Sequence, residues 1–116
     1  DKNIEVIIGA NNMAELMLNA DLAIGASGST NWERLCLGLP SLIFTVAKNQ
    51  RKFSKILDKH GLIRLLGDAS DKNSVSAIRD NILSIDDLRG WSNRCFSSCS
   101  FGGVSRVVKV IENDLV

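Results

Sequence analysis

Short apolar runs alternate with stripes of helical spacing along this chain. Residues 4–8 (IEVII) are apolar and β-branched, and read as a buried strand. Gly9 and Asn11-Asn12 interrupt the run, and Asn12, with Glu15 three residues on, forms a capping box for a helix. Met13, Leu16, Met17 and Ala20 mark one face of that helix. Residues 22–26 predict a second strand, and Ser27-Gly28-Ser29 the turn after it. Trp32, Leu35, Cys36 and Leu39 then form the stripe of another helix. Gly38 closes this helix and Pro40, the only proline, forbids its continuation. Residues 41–46 predict a strand buried on both faces. Lys48 to Gln50 then form a polar tip, and Phe53, Ile56, Leu57 and His60 line a helix ended by Gly61.

A fourth, short strand is expected at residues 63–66, followed by a polar loop over 67–73. Beyond it, Val75, Ile78 and Ile82 make one helical stripe. Asp86 or Asp87 caps a helix carrying Leu88, Trp91 and Cys95. Val104, Val107, Val108 and Ile111 mark a last amphipathic helix. Strands alternating with helices of about ten residues predict an α/β fold. The expectation is a Rossmann-like parallel sheet with helices on both faces and helices at the C-terminus. Right-handed crossovers put every strand-to-helix turn at one edge of such a sheet, and ligands bind outside the carboxyl ends of the strands. That edge receives residues 9–12, 27–30 and 48–51.

The 116 residues make one domain, residues 1–116, and the first residue is Asp rather than Met. A strand follows almost at once, so the expectation is a piece of a larger protein. A net charge of +1 gives no general pull toward nucleic acid or membranes, and Tyr is absent, which disfavours a base-stacking platform. No apolar run is long enough to span a bilayer. Three cysteines and one histidine make a zinc site a poor fit, and the cysteines read as reduced core thiols of a cytoplasmic protein. No metal or cofactor is expected.

Ser27, Gly28, Ser29 and Thr30 follow a strand and open a helix. Exposed N–H groups at the positive end of a helix, with hydroxyls beside them, suit a phosphate or diphosphate. Neither a GxxxxGK[ST] nor a GxGxxG motif is present, and a plain N-cap accounts for the same residues. Glu33 fits either a capping box with Thr30 or the diol of a ribose. Asn49 and Gln50 carry amides suited to a sugar or phosphate, and Lys48, Arg51, Lys52 and Lys55 crowd the same stretch. His60 falls near a helix end away from this edge, and Asp86-Asp87 reads as a cap. No triad or catalytic carboxylate pair can therefore be assembled, and the domain reads as one that binds.

The run ADLAIGASGSTNWERLCLGLPSLIF followed by KNQ resembles the C-terminal half of GT-B-type nucleotide-sugar enzymes. It is most similar to the UDP-sugar hydrolases of pseudaminic acid biosynthesis and their spore-coat relatives. It is more distantly similar to the N-acetylglucosaminyltransferase of peptidoglycan synthesis. The resemblance runs from IEVIIGANNMAELM through GVSRVVKVIE. It implies that residues 27–30 face the diphosphate of a UDP-sugar and Glu33 the ribose. It also implies that Asn49 and Gln50 reach the phosphate or sugar, and that Asn12 and Met13 border the uracil. The catalytic histidine belongs, in that family, to an N-terminal domain absent from this sequence. A glycosyltransferase donor domain and a non-catalytic binding or scaffold domain are the alternative readings. In that family further strands precede the one at Ile4 and occupy the sheet centre, which predicts incomplete cover here. Ala26-Ser27-Gly28 also departs from the family's double glycine at this turn.

Overall fold

The computed structural model describes residues 3–28, 30–46 and 48–99, with backbone alone for residues 30 and 48–50. In chain order the elements are α1 (Met13–Leu18), β1 (Ala23–Ala26), α2 (Thr30–Cys36), β2 (Ser41–Thr45), α3 (Lys48–Lys59), β3 (Arg64–Asp68), α4 (Ser74–Ser84) and α5 (Leu88–Ser98). The expected helix through Val104 to Ile111 lies outside the described residues.

The strands form a parallel sheet in the order β1-β2-β3. Ala23 stands beside Ser41 and Ala26 beside Phe44, while Leu42 pairs with Arg64. Between β2 and β3 the register slips: Ile43 faces Leu65 but Phe44 faces Gly67, so Leu66 is passed over. Gly67 takes a φ of 108°, a conformation that residues with a Cβ rarely adopt.

β2 is buried along its whole length, as its nearly all-apolar sequence predicts. Successive side chains point to opposite faces, so complete burial of both Leu42 and Ile43 means that both faces are covered there. Around them gather Leu35 of α2, Ile56 and Leu57 of α3, Leu62 and Ile63, and Trp91 and Cys95 of α5. The architecture is a small Rossmann-like α/β sheet.

The last described helix, α5, closes the amino edge of this sheet. The carbonyl of Gly38, just past α2, accepts from Ser92 Oγ at 2.5 Å. Past α3, Gly61 O accepts from Arg94 Nε at 3.1 Å and Leu62 O from Trp91 Nε1 at 2.9 Å. Gly38 and Gly61 both take the left-handed conformation of helix-terminating glycines, with φ of 67° and 72°. Asp87 caps α5 by accepting from Gly90 N at 2.9 Å, as one of the two expected caps.

Four expectations are corrected. Residues 4–8 form no strand, and Ile4, Val6 and Ile8 are largely exposed. An extended run lies in a sheet only when a neighbour takes up its backbone groups, and none of the three strands pairs with it. Asn12 occupies the N-cap position of α1 but makes no side-chain capping bond. Residues 48–50 are not a strand tip but the first turn of α3. The cysteines are not all reduced: Cys36, at the end of α2, is joined by a disulfide to Cys99, just past α5. The helical stripe on α4 is present but faces outward, with Val75 and Ile82 exposed and no buried residue in the helix.

Cys95 remains a free, fully buried thiol, its Sγ 3.2 Å from Leu62 O. Burial pushes its pKa from the ordinary 9.0 up to about 11. The folded state therefore holds this proton after the unfolded chain has released it. The Cys95 contribution is constant below pH 9 and is lost as pH rises from about 9 to about 11, a fall on the order of 2 kcal/mol. Urea denaturation across that window will show the loss, and Cys95→Ala will flatten it.

Candidate functional site

The carboxyl edge is built from the ends of β1 and β2. Beyond the last residue of β1, Ser27 N donates to Phe44 O at 2.8 Å, which carries the ladder into the turn and fixes where the turn starts. The Ser27 side chain is buried. Its Oγ lies 2.6 Å from Ser54 Oγ of α3 and accepts from Asn31 Nδ2 at 3.4 Å. Asn31 Oδ1 in turn accepts from Arg34 Nη1 at 3.3 Å, and the same nitrogen lies 3.5 Å from Ala26 O. Burial lowers the Arg34 pKa, opposed in part by the charge of Glu33. Ser27 thus acts as a pin: its N–H binds the turn to β2 and its hydroxyl binds it to α3.

Gly28 is different. A Cβ built on it meets no atom within 4 Å, so the space over the turn is open, and its φ is not positive. Ser29 lies outside the described residues, and Thr30 is the first residue of α2. Glu33 sits on the first turn of α2 with its side chain exposed. Residues 48–50 form the first turn of α3, which follows β2 after a two-residue link. The Ser27–Ser54 contact and the Trp32–Phe53 ring pair, centroids 5.7 Å apart, hold α2 and α3 side by side. Two helix N-termini from successive βα units therefore open on one sheet edge.

The third turn of this edge contributes a carboxylate that sequence reasoning passed over as loop. Asp68, the last residue of β3, accepts from Ser70 Oγ at 2.6 Å and from Ser70 N at 2.8 Å, and these bonds hold its pKa below the usual range. Its other oxygen lies 3.8 Å from Arg51 Nη2 on the first turn of α3. Asn31 and Ser54 were likewise missed. Their burial is invisible in sequence, although a small hydroxyl at Ser54, between Phe53 and Ile56 on an apolar helix face, is the available signal.

Asn12 and Met13 are exposed at the start of α1, and among the described residues no hydrogen bond joins them to residues 27–33. His60 follows the end of α3, away from the carboxyl edge. A cavity of about 440 Å³ lies at the amino edge instead, lined in part by Asp58, Arg64, Asp86, Trp91 and Arg94. Burial raises the pKa of Asp58 there. Arg64 covers the Trp91 ring at 5.3 Å, and its Nη1 is spent on Asn81 O and Ser84 Oγ. Among the described residues, no cluster of three His, Cys, Asp or Glu side chains is arranged to hold a metal. No described helix is long and apolar enough to cross a membrane.

Ser54→Ala removes the fully buried partner of Ser27 and leaves that hydroxyl with Asn31 alone. The expected cost is about 1–2 kcal/mol, which thermal denaturation will register as a drop in Tm of roughly 4–12 °C.

No family model and no curated protein matches the chain.

Proposed function

We propose that this chain is the nucleotide-binding part of an enzyme that acts on a UDP-linked amino sugar, releasing UDP by hydrolysis at the glycosyl phosphate bond. The observation that carries the reading is that α2 and α3 both begin on one edge, with open space over Gly28 just before α2. Backbone N–H groups and two aligned helix dipoles favour a diphosphate there. Lys48, Arg51 and Lys52, all within the first turns of α3, add positive charge. The exposed Glu33 carboxylate is a two-point acceptor for the ribose hydroxyls. The sequence resemblance to UDP-sugar hydrolases supplies the sugar class and a cytoplasmic setting.

In this reading the domain stabilises the departing UDP electrostatically and fixes its orientation. A second domain supplies the base that activates water, so this chain alone binds without turnover. Titration of the chain with UDP, followed by amide NMR, is expected to shift residues 27–33 and 48–51 selectively. Absence of shifts at millimolar UDP would overturn the assignment and favour a scaffold domain. Transfer of the sugar to an acceptor other than water by the two-domain protein would convert the hydrolase into a glycosyltransferase.

A further inference from the structure

All three cysteines of the chain lie where α5 meets the end of α2, away from the carboxyl edge. Cys36 is the last residue of α2 and is exposed, and Cys99 caps α5 and is half-buried. Their Cα atoms are 4.9 Å apart, and 63 positions separate them in sequence. Cys95, one helical turn before Cys99, is fully enclosed and held against Leu62 O. The sulfurs thus fall into two kinds: an accessible pair and a sequestered third.

The rest of α5 does not depend on the pair. Trp91, Ser92 and Arg94 hold the helix on three carbonyls just past the ends of α2 and α3, and Asp87 caps its start. These contacts lie one to three turns before Cys99 and involve no sulfur. Opening the disulfide therefore frees the last turn of α5 from α2 and leaves the body of the helix in place.

We propose that Cys36–Cys99 is a reversible thiol–disulfide modification site that exchanges with small thiols and disulfides of the glutathione class. In the reducing direction a glutathione thiolate attacks the exposed Cys36 sulfur. A mixed disulfide forms on Cys36, the Cys36–Cys99 bond breaks, and Cys99 leaves as a thiolate that takes up a proton. A second glutathione thiolate attacks the mixed disulfide, releasing oxidised glutathione and the Cys36 thiolate. In sum, two thiols and one protein disulfide become one small disulfide and two protein thiols. The oxidising direction is the reverse, with oxidised glutathione as the acceptor of both electrons. Cys95 stays outside the cycle because its enclosed thiol is held protonated, and the thiolate is the reacting form.

The test uses the full chain in buffers ranging from reduced to oxidised glutathione. Peptide mapping is expected to show the Cys36–Cys99 link forming and opening with the buffer, while far-ultraviolet circular dichroism stays constant. Hydrogen exchange in the reduced form should speed up at the ends of α2 and α5 and remain slow at Trp91 to Arg94. In the native reduced protein, iodoacetamide should label Cys36 about a hundredfold faster than Cys95, which reacts fully only after unfolding. Cys36→Ser should abolish the cycle, and Cys95→Ser should leave it intact. The proposal is overturned if the link involves Cys95, if no link forms in oxidised glutathione, if the link yields to reduced glutathione only in denaturant, or if opening it abolishes the folded spectrum.

Discussion

Replacing Trp91 with alanine should cost the fold about 3–5 kcal/mol, the largest single loss expected from any described side chain. Three contributions disappear together. The indole is 3% exposed and belongs to the central apolar cluster. Its Nε1 donates to Leu62 O, just past the end of α3, an oxygen that Cys95 Sγ also reaches. Its ring also carries the Arg64 guanidinium. A small domain has a total stability of only about 5–15 kcal/mol, so the variant should sit close to unfolding at 37 °C. In urea its midpoint should fall by roughly 1.5 M or more, taking a slope of about 1–2 kcal/mol per molar. Trp91→Phe separates the terms. It keeps most of the apolar volume and loses the hydrogen bond, so about 1–2 kcal/mol is expected. Equal losses for the two variants would mean that the hydrogen bond, rather than burial, fixes α5 on the amino edge.

The second large effect concerns binding rather than stability. Gly28→Val should leave Tm within about 2 °C of the parent, because a Cβ added there meets nothing within 4 Å and the backbone there is not left-handed. The same side chain fills the space in which a diphosphate would approach the N–H groups of the turn. UDP affinity should fall by a factor of ten or more, about 1.4 kcal/mol or above. Calorimetric titration of parent and variant side by side measures it. Unchanged affinity would move the ligand off this turn. A large fall in Tm would show instead that the glycine serves the fold.

The sequence pattern was most informative where one local rule decides the outcome. The run at Ser41–Thr45 can only be a strand buried on both faces, and it is. Gly38, Pro40 and Gly61 end helices because of their own backbone limits, and Asp87 caps because its carboxylate reaches a nearby N–H. Reading failed where the outcome depends on a partner distant in sequence. Residues 4–8 have strand chemistry, but a strand also needs a neighbour, and no pattern within the run reveals that none pairs with it. The stripe on α4 is genuine, yet it gives no information on whether anything covers it.

The carboxyl edge divides in the same way. Its location followed from strand–helix alternation, and Ser27 meets Ser54 in the middle of α3 there. Ser27 had two possible roles with identical chemistry, ligand donor or internal pin. Only the position of Ser54, 27 residues on, assigns its hydroxyl to the second. Asp68 was hidden because its significance comes from Arg51 and Ser70 around it rather than from its neighbours in a motif. Cys36 and Cys99 were read as separate thiols because 63 positions of chain separate them.

The order of the strands bears on how the protein is made. Each strand lies beside its predecessor in the chain, so the sheet can assemble in the direction of synthesis, and each step closes only one short crossover. The same order creates an interval of exposure. Until Arg64–Asp68 emerges, β2, apolar from Leu42 to Phe44, is an unpaired margin able to template another chain. A nascent or truncated chain that stops at Lys59 should therefore aggregate, whereas one that extends through Ser98 also carries the α5 contacts that seal the core.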